Sequence, residues 1–181
     1  KQNGLETITD DSGNVLIRKQ ASKGKEKSPV IILQSHLDMV CEKNSDINHN
    51  FLTDSIKPYI EGGWIKAKGT TLGSDDGIGI AAMLAILTDE NVEHGPLECL
   101  FTVDEERGLT GASGLKTDFL KGRILINLDS EDEGQIFIGC AGGKDTIAQI
   151  KLDFKNIEDN YIPYLIKISG LKGGHSGDDI H

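Results

Sequence analysis

The sequence predicts an α/β protein: a three-layer sandwich with a mixed, largely parallel central sheet, followed by the beginning of a smaller α+β domain. Three observations support this prediction. Apolar runs of strand length alternate with one long helical pattern over 76–88. Several of these runs are continuously apolar, which is typical of strands buried on both faces. Acidic residues follow at least three of the runs, at the strand ends where parallel sheets bind ligands.

The predicted elements follow from local patterns along the chain. The helix over 76–88 places apolar residues at helical spacing from Ile78 to Ile86. The segment 108–120 predicts a short helix interrupted by glycines. The hairpin is predicted around Gly62-Gly63. Three strands are predicted to be buried, over 29–34, 97–103 and 124–128. Further strands are predicted over 14–19, 59–67 (the hairpin), 135–140, 146–154 and 164–169.

Composition excludes some classes of partner. The 181 residues carry a net charge of −10, which disfavours nucleic acid and anionic membranes. No apolar stretch approaches the roughly 20 residues that span a bilayer, and no signal peptide is apparent. The three cysteines are widely spaced, and Cys99 falls in an apolar run as a predicted buried thiol. We therefore predict a cytoplasmic protein.

His36 and Asp38 follow the apolar run 29–34. The imidazole can bind zinc, and a carboxylate two residues along an extended chain can hydrogen-bond the other ring nitrogen. Such a pair fixes the tautomer of the ligand. The alternative is a coincidental pair of polar residues in a loop.

Asp75 and Asp76 open the predicted helix within the glycine-rich stretch GTTLGSDDGIG at 69–79. An aspartate here can cap the helix or bind metal, and the pair can share the roles, with one bridging two metals. A phosphate-binding loop is disfavoured, because the stretch lacks the lysine of GxxxxGK[ST] and does not match GxGxxG.

Glu105 and Glu106 end the apolar run 97–103, and Asp129 ends the run 124–128. Adjacent acids in an extended chain point differently, so one can bind metal while the other remains free as a base. The alternatives are a solvated turn for the glutamates and a cap for Asp129. Together with the two upstream acid-bearing stretches, these residues favour a two-metal hydrolase site.

Six stretches of the sequence closely resemble one family, the aminoacyl-histidine dipeptidases, also called Xaa-His or cytosol non-specific dipeptidases. These belong to the wider dizinc family of aminoacylases and carboxypeptidase G-like enzymes. The resemblance covers nearly the whole chain, in order. The stretches are SHLDMV at 35–40, GTTLGSDDGIGIA at 69–81, VDEERGLTGA at 103–112, INLDSEDEG at 126–134, GCAGG at 139–143 and GLKGGHSGDDIH at 170–181.

The resemblance implies hydrolysis of dipeptides, with broad or Xaa-His specificity, by a metal-bridging water. Two zinc ions per subunit are implied, with cobalt or manganese as alternatives. Glu105 would be the general base and acid. The peptide bond after Asp75 is a candidate for the cis form, although the family commonly has Asn where Asp76 stands. The implied ligands are His36, Asp75, Glu106 and Asp129, and Asp38 would orient His36.

The resemblance also implies a domain organisation. Residues 1–143 would form the N-terminal part of the catalytic domain, and 144–181 the start of a lid and dimerisation domain. His175 would bind substrate, reaching the partner's site in a homodimer. The family's further histidine ligand has no match here. We therefore expect the chain to be the N-terminal part of a longer protein and to be inactive alone.

Other functions are weighed against this one. An aminoacylase or a tripeptidase of the same family is the nearest alternative. A non-catalytic metal-binding homologue would be expected to lose the base, yet Glu105 is present. A magnesium-dependent phosphohydrolase would use oxygen ligands throughout, which His36 and Asp38 disfavour.

Overall fold

The computed structural model of the protein describes residues 4–130, 132–140, 146–157 and 160–171. The chain divides into two units, Lys1–Glu133 and Gly134–His181. The predicted domains 1–143 and 144–181 stay a prediction. The described elements are β1 (Glu6–Thr9), β2 (Val15–Lys19), β3 (Ile31–His36), β4 (Pro58–Glu61), β5 (Trp64–Ala67), α1 (Ser74–Thr88), β6 (Leu97–Thr102), α2 (Thr110–Ser113) and β7 (Ile124–Asn127).

A five-stranded mixed sheet forms the framework of the first unit, in the order β1-β2-β6-β3-β7. Strands β6, β3 and β7 are parallel to one another, whereas β2 runs antiparallel to both of its neighbours, β1 and β6. The prediction of an α/β protein with a mixed sheet is confirmed, and the predicted hairpin is β4–β5. The three-layer arrangement and the lid stay predictions.

The core lies on both faces of the central strands, because residues that alternate along a strand point to opposite faces. One face packs against α1 through a cluster that includes Leu33, Met83 and Phe101. The other face carries Leu16, Ile32 and Leu100, which pack against residues of the 115–120 segment. Burial on both faces explains the continuous apolar runs of β3 and β6.

The Cys99 thiol lies in this core with no exposed surface, as predicted. Burial raises its pKa to about 11, because an apolar environment disfavours the thiolate. Cys41 and Cys140 are exposed, and all three cysteines are free. No helix among the described residues has the length and apolar character needed to cross a membrane.

The structure corrects the prediction for two elements of the first unit. The predicted helix over 108–120 is reduced to α2, because glycines at both of its ends favour turns over helix. The run 124–128 is not buried: Ile124, Leu125 and Ile126 are each about half exposed. Among the described strands, β7 lies at the edge of the sheet and pairs with β3 alone.

The second unit differs more from its prediction. The described parts of the predicted strands at 135–140, 146–154 and 164–169 contain no strand, so these predictions are wrong. Their apolar side chains are exposed, as at Ile138 and Leu165. A strand is stabilised by hydrogen bonds to a neighbouring strand. No described segment of this unit supplies such a neighbour.

Candidate metal centre

The predicted site residues lie at one edge of the sheet, beyond the carboxyl ends of the parallel strands. His36 is the last residue of β3, and Asp129 follows β7 by two residues. Glu105 and Glu106 lie on the loop after β6. The register pairs His36 with Thr102, the last residue of β6, so both strands end together. Parallel pairing therefore gathers side chains that are distant in sequence.

The His36 ring is buried, with only 1% of its surface exposed, and both of its nitrogens have partners. Nδ1 lies 2.9 Å from the main-chain carbonyl oxygen of Asp38. A carbonyl can only accept, so Nδ1 carries the hydrogen and the lone pair of the neutral ring is on Nε2. That nitrogen faces Oδ1 of Asp75 at 2.9 Å. A lone pair and a carboxylate this close require a cation or a proton between them.

Asp38 holds His36 differently from the prediction. Its carboxylate Oδ1 lies 3.6 Å from Nδ1, and the closer contact comes from its backbone carbonyl. The two carboxylate oxygens instead accept the backbone N–H groups of Glu105 and Glu106, at 3.0 and 3.1 Å. Burial of Asp38 opposes ionisation, but these N–H groups outweigh it and hold the pKa below its ordinary value.

The two aspartates at the start of α1 point into different environments. The Asp75–Asp76 peptide bond is cis, as the resemblance implied, and neither residue has helical φ and ψ. The Asp75 side chain is 52% exposed and turns to the His36 ring. Asp76 is buried, and its carboxylate accepts the N–H groups of His36 and Gly79. The buried Asp76 carboxylate therefore joins the start of α1 to the end of β3.

The acidic residues of the centre crowd one another. Burial, followed by the charge of Asp76, raises the pKa of Asp129 to about 7. Burial, followed by the charges of Asp75 and Glu105, raises the pKa of Glu106. Burial also raises the pKa of Asp76. Like charges this close raise the free energy of the ionised state, and a bound cation would relieve the repulsion.

Nearby carboxylates have the opposite effect on the imidazole. Burial by itself would lower the pKa of His36. The hydrogen bond that the protonated ring donates to Asp75 and the charge of Asp129 outweigh burial, so the pKa of His36 is raised. These acids therefore favour the protonated form of the His36 ring.

The positions of the ligand atoms fit a divalent metal. Zinc binds N and O ligands at about 2.0–2.2 Å, so two ligands of one ion lie up to about 4 Å apart. From Nε2 of His36, Oδ1 of Asp75 lies at 2.9 Å and Oδ1 of Asp129 at 3.8 Å. Two sets of three residues place one possible ligand atom each within 4.8 Å of the others. The first set is His36, Asp75 and Glu106, and the second is His36, Asp76 and Asp129.

The structure thus brings together the four residues predicted as ligands, with Asp38 and Glu105 beside them. Asp76 joins the second group, although the sequence assigned it no ligand role. Its only signal was its place next to Asp75. His175, the predicted substrate-binding residue, lies outside the described residues.

Two cavities differ in their relation to the centre. One of about 210 Å³ borders Asp75 and Glu106 and is also lined by Met39, Val40 and Leu72. A larger one, of about 600 Å³, lies near the end of α1 and includes Lys19, Leu87 and His94 in its lining. None of the predicted site residues lines the larger cavity. Proximity to reactive groups therefore favours the smaller one as a substrate site.

Comparison with known proteins defines the class. Residues 32–160 match the sequence pattern of Peptidase family M20/M25/M40. The matched part includes every described residue of the centre, β3 from its second residue onward, and the whole of α1, β6 and β7. The chain belongs to this peptidase family.

Three individual proteins show how similar the chain is to known members of related classes. The chain is 51% identical over all of its 181 residues to the cytosol non-specific dipeptidase of Escherichia coli (strain K12), and it spans 37% of that relative's length. The crystal structure of an aminoacylhistidine dipeptidase from Vibrio alginolyticus is 52% identical, with a TM-score of 0.72 over 74% of this chain and 27% of that one. An aminopeptidase PepT from Bacillus cereus is 31% identical, with a TM-score of 0.60 over 72% of this chain and 35% of that one.

Proposed function

We propose that the complete protein is a metal-dependent dipeptidase with broad dipeptide specificity, including Xaa-His dipeptides. One observation carries the proposal: four separated metal-ligand candidates, His36, Asp75, Glu106 and Asp129, meet at one sheet edge. The chain in which they meet is 51% identical to a cytosol non-specific dipeptidase. A cytoplasmic location is proposed on the same basis.

The proposed metals are two zinc ions, with cobalt or manganese as alternatives. His36 and Asp129 would hold one ion, Glu106 the other, and Asp75 would contact both. Support comes from the exposed Asp75 carboxylate, which lies beside both the His36 ring and Glu106. When bound, the metals supply Lewis acidity toward the scissile carbonyl and lower the pKa of a water molecule.

Glu105 is the proposed general base and acid. It accepts a proton from the attacking water as the new carbon–oxygen bond forms. It then gives that proton to the amine nitrogen as the carbon–nitrogen bond breaks. Asp38 supports this role, because it accepts the N–H of Glu105 through its carboxylate while its carbonyl oxygen meets Nδ1 of His36. Asp38 therefore holds both Glu105, the proposed base, and His36, the proposed metal ligand.

The cavity beside the metal ligands is the proposed place for an apolar side chain of the dipeptide. It combines the apolar Met39, Val40 and Leu72 with Asp75 and Glu106. The neighbouring loops are joined by Thr71, whose hydroxyl donates to the Val40 carbonyl at 2.6 Å. A fixed wall of this kind suits a site that recognises substrate by shape.

Further parts of the proposal concern partners. No nucleic acid or membrane is expected as a partner of a chain with a charge of −10. Homodimerisation through a lid domain, with His175 at the substrate, is proposed from the family resemblance. The 181 residues alone are proposed to be inactive. An aminoacylase or tripeptidase activity and a non-catalytic metal-binding role are the competing proposals.

The test is Glu105→Gln in the complete protein, with dipeptides, N-acylated amino acids and tripeptides assayed in parallel. Loss of the base should lower kcat for dipeptides by about 10²–10⁴-fold. Bound metal, measured by elemental mass spectrometry, should stay unchanged because the ligands remain. Near-normal turnover by the variant would contradict the base assignment. Preferred turnover of acylated amino acids or tripeptides by the wild type would replace the proposed substrate class.

A matched control is Glu61→Gln, which removes an exposed glutamate carboxylate from the β4–β5 hairpin. It should leave both kcat and metal content unchanged. Absence of metal-dependent hydrolysis in the wild type would favour the non-catalytic homologue. Turnover by the isolated 181 residues would contradict their proposed inactivity.

A further inference from the structure

Asn14 is a fully buried amide that lies outside the metal centre and has no role in the chemistry proposed above. It ends the turn between β1 and β2, where Asp10 accepts its backbone N–H at 2.8 Å and its Nδ2 at 2.7 Å. The same Nδ2 donates to the Gly111 carbonyl at 2.8 Å. Its Oδ1 accepts the backbone N–H of Val103 at 3.1 Å. Both hydrogens and the oxygen of the amide are thus engaged.

The contacts of Asn14 reach both ends of one loop, residues 103–111, which we name the acidic loop. This loop carries Glu105 and Glu106. Gly111 packs so closely that a Cβ there would overlap the Val103 carbonyl oxygen and the Asn14 side chain. A single side chain therefore spans the two ends of the loop and fills the space between them.

The acidic loop needs external support, because its backbone is strained. Asp104 and Leu109 both have φ of +59°, a left-handed conformation that is uncommon for residues other than glycine. Such residues persist only where the surroundings hold them in place. The Asp38 carboxylate supports the middle of the loop through the N–H groups of Glu105 and Glu106. Asn14 supports its ends.

We propose that Asn14 is a positioning residue, which sets where the acidic loop presents Glu105 and Glu106 to the metals and substrate. The inference rests on the proposed function, since it assigns Asn14 to that reaction. The amide itself is required, because a carboxylate at this position would place an oxygen against the Gly111 carbonyl and the Asp10 carboxylate. A small apolar residue would leave the Val103 N–H and the Gly111 carbonyl without their partner.

The test compares Asn14→Ala and Asn14→Asp with Glu98→Gln in the complete protein. Glu98 is the matched control: it is also buried in the same sheet and also accepts backbone N–H groups, but those belong to Lys121 and Gly122. Each variant is assayed under conditions in which circular dichroism shows it to be folded. Both kcat and KM for a dipeptide are measured, together with metal content and the midpoint of unfolding.

The Asn14 variants should lose about 10–100-fold in kcat, the usual effect of changing a residue that orients catalytic groups, with KM changed far less. Glu98→Gln should keep kcat within about twofold of wild type, although its midpoint of unfolding falls. Unchanged kcat in the Asn14 variants would overturn the inference. So would failure of Asn14→Asp to fold, since Asn14 would then be a requirement of folding. If the wild type itself has no metal-dependent dipeptidase activity, the proposed function fails instead.

Discussion

Two groups of buried charged residues lie in the same sheet, and only one of them is balanced. Glu98 on β6 meets Nε of Arg18 at 2.9 Å and also accepts the N–H groups of Lys121 and Gly122. Arg18 in turn donates to Glu6 and to the Phe119 carbonyl. The metal centre, in contrast, gathers several carboxylates around the single imidazole of His36.

The pKa shifts of the acidic residues differ between the two groups. Burial would raise the pKa of Glu98, but hydrogen bonds from Gly122 and Arg18 lower it overall. The pKa values of Asp129, Asp76 and Glu106 are raised instead. A balanced group stabilises its own charges, whereas the acids of the candidate metal centre outnumber the positive side chains that the described residues place beside them. An excess of buried acids is therefore a stronger indication of a functional site than buried charge by itself.

The largest expected difference is in stability without metal. Arg18→Met leaves Glu98 buried without its counter-charge and should lower the free energy of unfolding by about 3–5 kcal/mol. Asp129→Asn removes one of several repelling acids, so it should leave the stability unchanged or raise it. Urea denaturation in the presence of a chelator measures both. An equal loss in the two variants would show that the metal centre is balanced without a cation.

A smaller effect is expected from adding metal. Zinc at 100 times its dissociation constant should stabilise the folded protein by about 2.7 kcal/mol. Asp75→Asn should remove most of this increase, because it takes away the carboxylate closest to His36. Arg18→Met should keep the full stabilisation by zinc, although without zinc this variant is less stable than the wild type. The readout is the difference between urea curves with zinc and with chelator, and loss of the increase in Arg18→Met would contradict the separation of the two groups.

The smallest expected effect is the pH dependence of the metal-free protein. Asp129 has a folded-state pKa of about 7 against an ordinary value of 3.8, so only the folded protein binds this proton between pH 7 and 4. The raised pKa of His36 acts in the same direction. Stability should therefore rise, by about 2 kcal/mol, as pH falls from 8 to 5.5. The lowered pKa values of Asp38 and Glu98 oppose this only near pH 4 and below.

Thermal unfolding at the two pH values, with chelator, measures this dependence. Asp129→Asn should reduce the dependence of stability on pH, because the titrating carboxyl is gone. With zinc bound the direction should reverse, since protons compete with the metal for the same ligands. A metal-free protein that is more stable at pH 8 than at pH 5.5 would contradict the unbalanced charge of the centre.

The sequence predicted the strands of the centre and their acidic ends well, because both depend on local patterns. The run before His36 and the helix after Asp76 are each defined by the residues within them. The acid-bearing ends of the apolar runs, together with the family resemblance, identified His36, Asp75, Glu105, Glu106 and Asp129, although their roles stay predictions. Asp38 was chosen for its carboxylate, yet its carbonyl faces the ring. Backbone direction at a strand end is not encoded in residue type.

What the sequence could not predict depends on neighbours rather than on local pattern. The run 124–128 is apolar enough for a buried strand, but β7 has one neighbour in the part of the chain that the structure describes, and it is half exposed. The alternating segments beyond 134 likewise pair with no described strand. Asn14 carried no signal beyond its place after a turn, because its contacts lie 89 and 97 residues away in the chain.

The register between β3 and β6 has a consequence for how this site tolerates length changes. Its six matched pairs run from Ile31–Leu97 to His36–Thr102. Side chains alternate between the two faces, so deleting one residue within β3 would turn the side chains on one side of the deletion to the opposite face of the sheet. The imidazole would then leave Asp75 and Asp38 while its own residue type stayed the same. Insertions and deletions here would therefore disturb the candidate metal centre as much as replacing one of its residues, because the alignment of two strands brings those residues together.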